Sequence, residues 1–436
     1  MSAPEPGMEG LRLEQAPPLS IPASFFAAAP VALAAGGAIL LWAGEGAVRS
    51  AWAEPTIALA HVGTLGLLAM VMWGALYQMI PVVVGTPVPV PRLAHAVQAL
   101  LAAGVACLVA GVGWHRPPLV WAAISLLPLA FLLFAVPVGI ALVRGGARTP
   151  TRGGMGLALA ALLVTVTLGV WMAHGHASAR FPGSRPLWMQ VHLGLALLGW
   201  VGGLLTAVSW QVVPMFYLAD APSGRVTGST LTAIGATILL SPLVLVAALL
   251  DAGSAAELSA AAALAASPGA LAVWALHPLV TLRAISRRRR KRADPSLLFW
   301  KVGLALGPAT LGAAAAVLLL DDPRLPVAFG WLAILGWAGV IVHGMLLRIV
   351  PFLVWFHRFS PLVGREPVPS VRKILPDAHA HLGLSAHLAA LAAGLLAIAT
   401  QSPWAARLAG ALLLLTALAL SRSLAHALRQ RPAPKS

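Results

Sequence analysis

Long apolar runs, separated by short stretches where Arg, Pro and Asp gather, recur from one end of the chain to the other. About 20 apolar residues in a helix cross the hydrocarbon of a bilayer, and a helix satisfies its own backbone hydrogen bonds there. Read this way, the pattern predicts twelve spans, at roughly 24–43, 56–84, 92–113, 118–143, 153–173, 188–217, 227–250, 256–284, 295–320, 326–356, 378–399 and 403–427. The expected fold class is therefore an all-α integral membrane protein of about twelve transmembrane helices. The domain reading is a tail over 1–22, a membrane domain over 23–428 and a second tail over 429–436. The first tail carries Pro4, Pro6, Pro17, Pro18 and three Glu, and lacks the basic head and short apolar core of a signal peptide, so it is expected to be disordered.

A second pattern is superimposed on the first. Tyr77-Gln78-Met79-Ile80-Pro81, Trp210-Gln211-Val212-Val213-Pro214 and Leu347-Arg348-Ile349-Val350-Pro351 each close an apolar run, and their prolines are 133 and 137 residues apart. Seven residues before each proline stands a small residue: Gly74, Ala207 and Gly344. Small residues let helices approach closely in a membrane. The pattern predicts three quasi-equivalent four-helix repeats over roughly 23–143, 153–284 and 295–427.

Composition agrees with a bilayer setting: 59% of the residues are hydrophobic, 10% are charged and the mean hydropathy is +0.87. Cations gather before span 1 and after the even-numbered spans, including Arg144, Arg148, Arg152, Arg358, Arg365, Arg372 and Lys373. Because basic loops stay on the cytoplasmic side, both termini are expected there, in a bacterial-type inner (plasma) membrane. The net charge of +16 is then loop bias and not a nucleic-acid footprint. Arg287 to Arg292 follow a span directly, which points to anionic lipid headgroups as their partner. The lone Cys107 excludes an intrachain disulfide.

Ionisable groups at bilayer depth are costly and mark function. All thirteen Asp and Glu fall in loops, tails or span ends, so a carrier built on a buried carboxylate has nothing to use. The spans carry histidine instead: His61, His192, His277, His343, and His379, His381 and His387 at the start of span 11. His95 lies near the start of span 3, and His174 and His176 close span 5. Neutral imidazole is a common haem and transition-metal ligand, although a single His in a helix more often serves packing. His61 and His192 stand 20 and 22 residues before Pro81 and Pro214, and each has a glycine two residues on. That shared placement makes them the leading metal-ligand candidates.

Twelve helices in three arcs of four, with histidines on helices 2, 6 and 10, resemble the catalytic subunit of heme-copper oxidases and its NnrS-type relatives. The resemblance rests on the segments His61 to Gly66, His192 to Pro214 and His343 to His357. It implies that His61 ligates a low-spin haem b and that His192 matches a helix 6 copper ligand. Span 10 has the single His343 where the family has two histidines separated by one residue, and span 7 lacks the family's His pair. No copper centre is therefore expected, and dioxygen reduction is not implied. The implied role is haem binding linked to nitric oxide, respiratory stress or electron transfer, with respiratory-complex subunits as partners.

Depth divides the histidines into two groups. His343 is 8 residues before Pro351, 12 fewer than the offset of His61 from Pro81, or about 18 Å along a helix. His61, His192, His174 and His176 form an outer group; His343, His277, His95, His381 and His387 form an inner one. Arg348 is read either as a snorkelling cation or as a partner for a haem propionate or other anion. Gln78, Gln211 and also Arg348, each three residues before a proline, are read as satisfying a carbonyl freed by the missing N–H. Trp42, Trp52, Trp73, Trp114, Trp188 and Trp404 are read mostly as an interfacial belt. Phosphate-cradling loops, Cys-rich clusters and covalent haem motifs are absent from the sequence. Two other function classes stay open: a cofactor-free permease or metal-handling protein, and a partner or assembly subunit of a respiratory complex.

Overall fold

The computed structural model describes residues 13–146, 148–181, 183–289 and 294–432. Most of the N-terminal tail, the end of the basic run at Arg290 to Arg292 and the last four residues lie outside them. Among the described residues, twelve helices are long and apolar enough to cross a membrane. They are α1 (Ser20–Ala47), α2 (Glu54–Val84), α3 (Leu93–Gly113), α4 (Pro117–Arg144), α5 (Pro150–Ser178) and α6 (Arg185–Tyr217), followed by α7 (Gly224–Leu249), α8 (Ala255–Arg287), α9 (Pro295–Leu319), α10 (Leu325–Arg358), α11 (Asp377–Thr400) and α12 (Pro403–Arg429). The protein is thus an all-helical, multi-pass membrane protein, and leucines such as Leu239, Leu264 and Leu319 are exposed on the spans, as a lipid-facing surface requires.

Local chemistry sets the helix ends. Pro stands in the first turn of α2, α4, α5, α6, α10 and α12, where its missing N–H costs nothing. Ser254 opens α8 with a capping box: the Glu257 N–H donates to its Oγ, and its own N–H donates to Glu257 Oε2. At the other end of a helix, Arg152 donates to the Leu142 and Val143 carbonyls and closes α4. α1 begins at Ser20, inside the stretch assigned to the tail.

Among the described residues, four helices depart from α geometry; α8 does so briefly, over Ala272–Leu276, and the other three share a longer departure. Val62–Ala69 in α2, Leu195–Gly202 in α6 and Leu332–Gly339 in α10 are π-helical, each eight residues long, with starts 133 and 137 residues apart. A glycine is the fifth residue of each: Gly66, Gly199 and Gly336. Extra residues in a turn widen it and reorient the side chains that follow, and such turns often lie near functional sites.

By contacts the chain forms two compact units. One comprises Pro17–Gln78, Ala293–Leu306 and Asp321–Ser436. Within it α1 packs on α12 through two glycines: a Cβ on Gly37 would lie 2.7 Å from the Gly410 carbonyl oxygen, and one on Gly410 the same distance from that of Gly37. The π segment of α2 lies against that of α10, and α11 packs on α12. Gly74 meets Phe25 of α1, and Gly344 meets Phe299 of α9, so closely that neither site has room for a Cβ.

The other unit comprises Met1–Ala16, Met79–Arg292 and Gly307–Leu320. Here α3 and α4 form a hairpin in which Gly104 abuts Leu127 and Gly111 abuts Val120. Ala207 of α6 touches Gly154 of α5. Thr237 of α7 donates to the Ala265 carbonyl at 3.0 Å and accepts from the Gly269 N–H at 2.9 Å. A core of Leu168, Leu187, Trp188, Val191, Leu195 and Val244 joins α5, α6 and α7. The three small positions before the prolines therefore all sit at close helix contacts, with Phe25 of α1, Gly154 of α5 and Phe299 of α9.

The tryptophans divide. Trp42, Trp52, Trp114 and Trp404 are exposed near span ends, as a belt requires, whereas Trp73 and Trp188 are buried. Trp73 lies deep in α2, too far from the span ends for an interfacial role.

Candidate functional site

The most enclosed polar chemistry lies in the first unit, where α10 brings His343 against His387 of α11. Both rings are buried, and their Nδ1 atoms are 3.1 Å apart. His387 Nε2 lies 3.0 Å from the Leu335 carbonyl in the π segment of α10. A carbonyl only accepts, so His387 Nε2 carries the proton. In the neutral ring its Nδ1 is then an acceptor, and His343 Nδ1–H donates to it. This leaves His343 Nε2 as a bare lone pair, buried and with no hydrogen-bond partner. Glycine at 383 makes room for it, because a Cβ there would stand 3.0 Å away. Phe299 packs on the His343 ring with centroids 4.9 Å apart.

His277 repeats the arrangement in the other unit. Ser209 Oγ donates to the Thr206 carbonyl at 2.6 Å, so its lone pair accepts from His277 Nε2–H at 3.0 Å. His277 Nδ1 is left buried without a partner, as is Thr206 Oγ1.

His61 lies at the junction where α2 passes into its π segment. Its Nδ1 is 2.8 Å from the Ile57 carbonyl one turn back, which places the proton on Nδ1 and makes Nε2 the donor atom for any metal. His192 lies three residues before the π segment of α6 and uses a different carbonyl: Nδ1 lies 3.1 Å from Thr165 O on α5, beside Gly169. Both candidate ligands therefore have one ring nitrogen oriented by the backbone.

Of the inner histidines, the fold joins His343 to His387, puts His277 in the other unit and leaves His95 and His381 exposed. Of the outer ones, His61 and His192 belong to different units, and His174 is an exposed residue in edge contact with Trp121. His61 and His343 share a unit but not a level. Gly63 of α2 meets Ile334 of α10, which sets His343 about 10 Å or more along the axis from His61. Two nitrogens bound trans to one metal are only about 4 Å apart, given metal–nitrogen bonds of about 2 Å. The two histidines are not axial partners on one haem.

Arg348 faces a carboxylate of its own chain. Its Nη1 is 3.3 Å from Asp294 Oδ2, with both side chains about one-fifth exposed. Asp294 in turn starts α9, accepting from the Ser296 N–H and hydroxyl. Gln78 is buried with Oε1 unpartnered. Among the described residues, no three His, Cys, Asp or Glu side chains gather as a metal-binding set.

Sequence reasoning did not find Ser209 and Thr206, whose hydroxyls lie in otherwise apolar text. The pairing of His387 left one faint trace, the four-residue spacing of His379, Gly383 and His387 along one face of α11. Compared with known proteins, the chain matches no family model and no curated protein.

Proposed function

We propose that this membrane protein binds haem b, with His61 as an axial ligand, and is a relative of the heme-copper oxidase catalytic subunit and its NnrS-type members. The observation that carries the reading is the hydrogen bond from His61 Nδ1–H to the Ile57 carbonyl, which directs the Nε2 lone pair outward from its own helix turn. Backbone-oriented imidazoles of this kind are the usual metal-binding form. His192, oriented by Thr165, is the corresponding candidate in the other unit. His343 offers a bare Nε2 beside Gly383, and it is a candidate for a separate centre and not for the haem of His61.

A haem held there supplies one-electron transfer or binding of a diatomic gas. The chain's own contribution is to hold each imidazole in one tautomer, and to keep water away through the apolar spans around it. Arg348 is engaged by Asp294, so a propionate or other anion would share its guanidinium. The absence of any His in span 7 takes dioxygen reduction out of the proposal. The role proposed is in nitric oxide or respiratory stress, or in electron transfer beside respiratory subunits, in a bacterial-type inner membrane with both termini cytoplasmic.

The test is the reduced-minus-oxidised absorption spectrum of the purified protein beside the His61→Ala variant. A b-type band lost in His61→Ala and kept in His343→Ala supports the reading. No band from haem-replete membranes overturns it and favours a cofactor-free permease or a partner subunit.

A further inference from the structure

The C-terminal end of α12 carries a concave surface that the haem reading does not use. A cavity of about 510 Å³ is lined there by Leu418, Ser421, Arg422, His426, Arg429 and Gln430. Around it, Arg358 Nη1 donates to the Leu428 and Gln430 carbonyls at 2.6 and 2.7 Å. That contact satisfies the end of α12 and leaves the Arg422 and Arg429 guanidiniums for another partner. His379 of α11 lies tilted against His426, with ring centroids 5.1 Å apart, and its Nδ1 meets Ser423 Oγ at 3.2 Å. Among the described residues, no carboxylate lines the cavity.

The same face continues up the helix as an apolar track. Leu408, Leu415, Leu418, Arg422 and Arg429 are spaced by three, four or seven residues, so they form one stripe. Leu415 and Leu418 are 43% and 67% exposed, and Trp404 ends the stripe at 76%. An acyl chain fits the leucines, and a phosphodiester fits the two guanidiniums below them.

We propose that this groove is a binding site for the headgroup of an anionic phospholipid, with Arg422 and Arg429 on the phosphate and an acyl chain along Leu415 and Leu418. Free phosphate shares the headgroup chemistry but has no use for the track. The leucine stripe is what commits the site to lipid.

The experiment is native mass spectrometry of the full-length protein released from mixed phosphatidylglycerol and phosphatidylcholine bilayers. Phosphatidylglycerol should be retained preferentially, and the paired substitution Arg422→Gln with Arg429→Gln should cut its retention about twenty-five-fold, since each cation near the surface contributes roughly a fivefold factor. Arg407→Gln, which removes an exposed cation stacked on Trp404 at the opposite end of α12, should leave retention unchanged. If the paired Gln variant does not fold, the Arg422→Lys with Arg429→Lys pair serves, with an expected loss of a few-fold from the lost bidentate contacts. Equal retention of the two lipids, or no difference between wild type and variants, overturns the proposal. Displacement of the lipid by millimolar inorganic phosphate would make the site one for free anion and overturn the lipid assignment.

Discussion

His343 and His387 share a single hydrogen bond between their Nδ1 atoms, 3.1 Å long, inside the apolar contact of α10 with α11. The Leu335 carbonyl accepts from His387 Nε2–H, and the direction of donation follows along the pair. A backbone oxygen in a π-helical turn thereby decides which nitrogen of a histidine on the same helix is bare.

Replacing His387 with Leu leaves His343 Nδ1–H buried without an acceptor. The expected loss is about 1–3 kcal/mol, the cost of an unsatisfied buried donor. Thermal unfolding in detergent measures it. An unchanged midpoint would mean that the pair is not formed.

Helix contacts without a Cβ give a second expectation. Gly37→Val pushes into the Gly410 carbonyl, where backbone cannot yield, and should destabilise by about 1–3 kcal/mol. Gly344→Val meets Phe299 with similar effect. Gly312, with nothing within 4 Å of its Cβ position, should accept Ala with no loss. Limited proteolysis of the three variants separates the cases, and equal resistance would contradict the packing described.

The Arg348–Asp294 pair is mostly buried and joined to the start of α9. Asp294→Ala removes the ion-pair partner and the cap together, and should cost about 2–4 kcal/mol, more than a surface pair. A double-mutant cycle with Arg348→Ala isolates the coupling. Additive single effects would show that the two side chains act independently.

Acid should act on the loop between α9 and α10. The Arg324 guanidinium and N–H donate to Asp322 and lower its carboxyl from an ordinary 3.8 to about 2. A depressed carboxyl stabilises the fold above its unfolded value, and that contribution fades as pH falls from about 4 towards 2. The Asp322 carboxyl carbon, followed by NMR, should titrate near 2 in the wild type and higher in Arg324→Gln, which keeps the backbone N–H donor and loses the guanidinium. A wild-type midpoint near 4 would refute the contact.

Much of the fold is legible in the sequence because a bilayer imposes simple demands. Runs such as 118–143 must be apolar and helical to cross at all, so twelve runs become twelve helices, and the basic text around Arg144 and Arg152 marks their ends. The small residues Gly74, Ala207 and Gly344 were equally readable, since close helix approach leaves no other side chain. The tertiary structure alone decided which histidines meet. His343 and His387 are 44 residues apart, and His277 lies nearer to His343 in sequence than His192 does to His277, yet His277 bonds through Nε2 to Ser209 in another unit. Hydropathy records whether a residue is in the membrane but not its azimuth on the helix, and π-helical turns rotate that azimuth midway along α2, α6 and α10. Which ring faces which, and which nitrogen keeps its lone pair, follows only once the helices are packed.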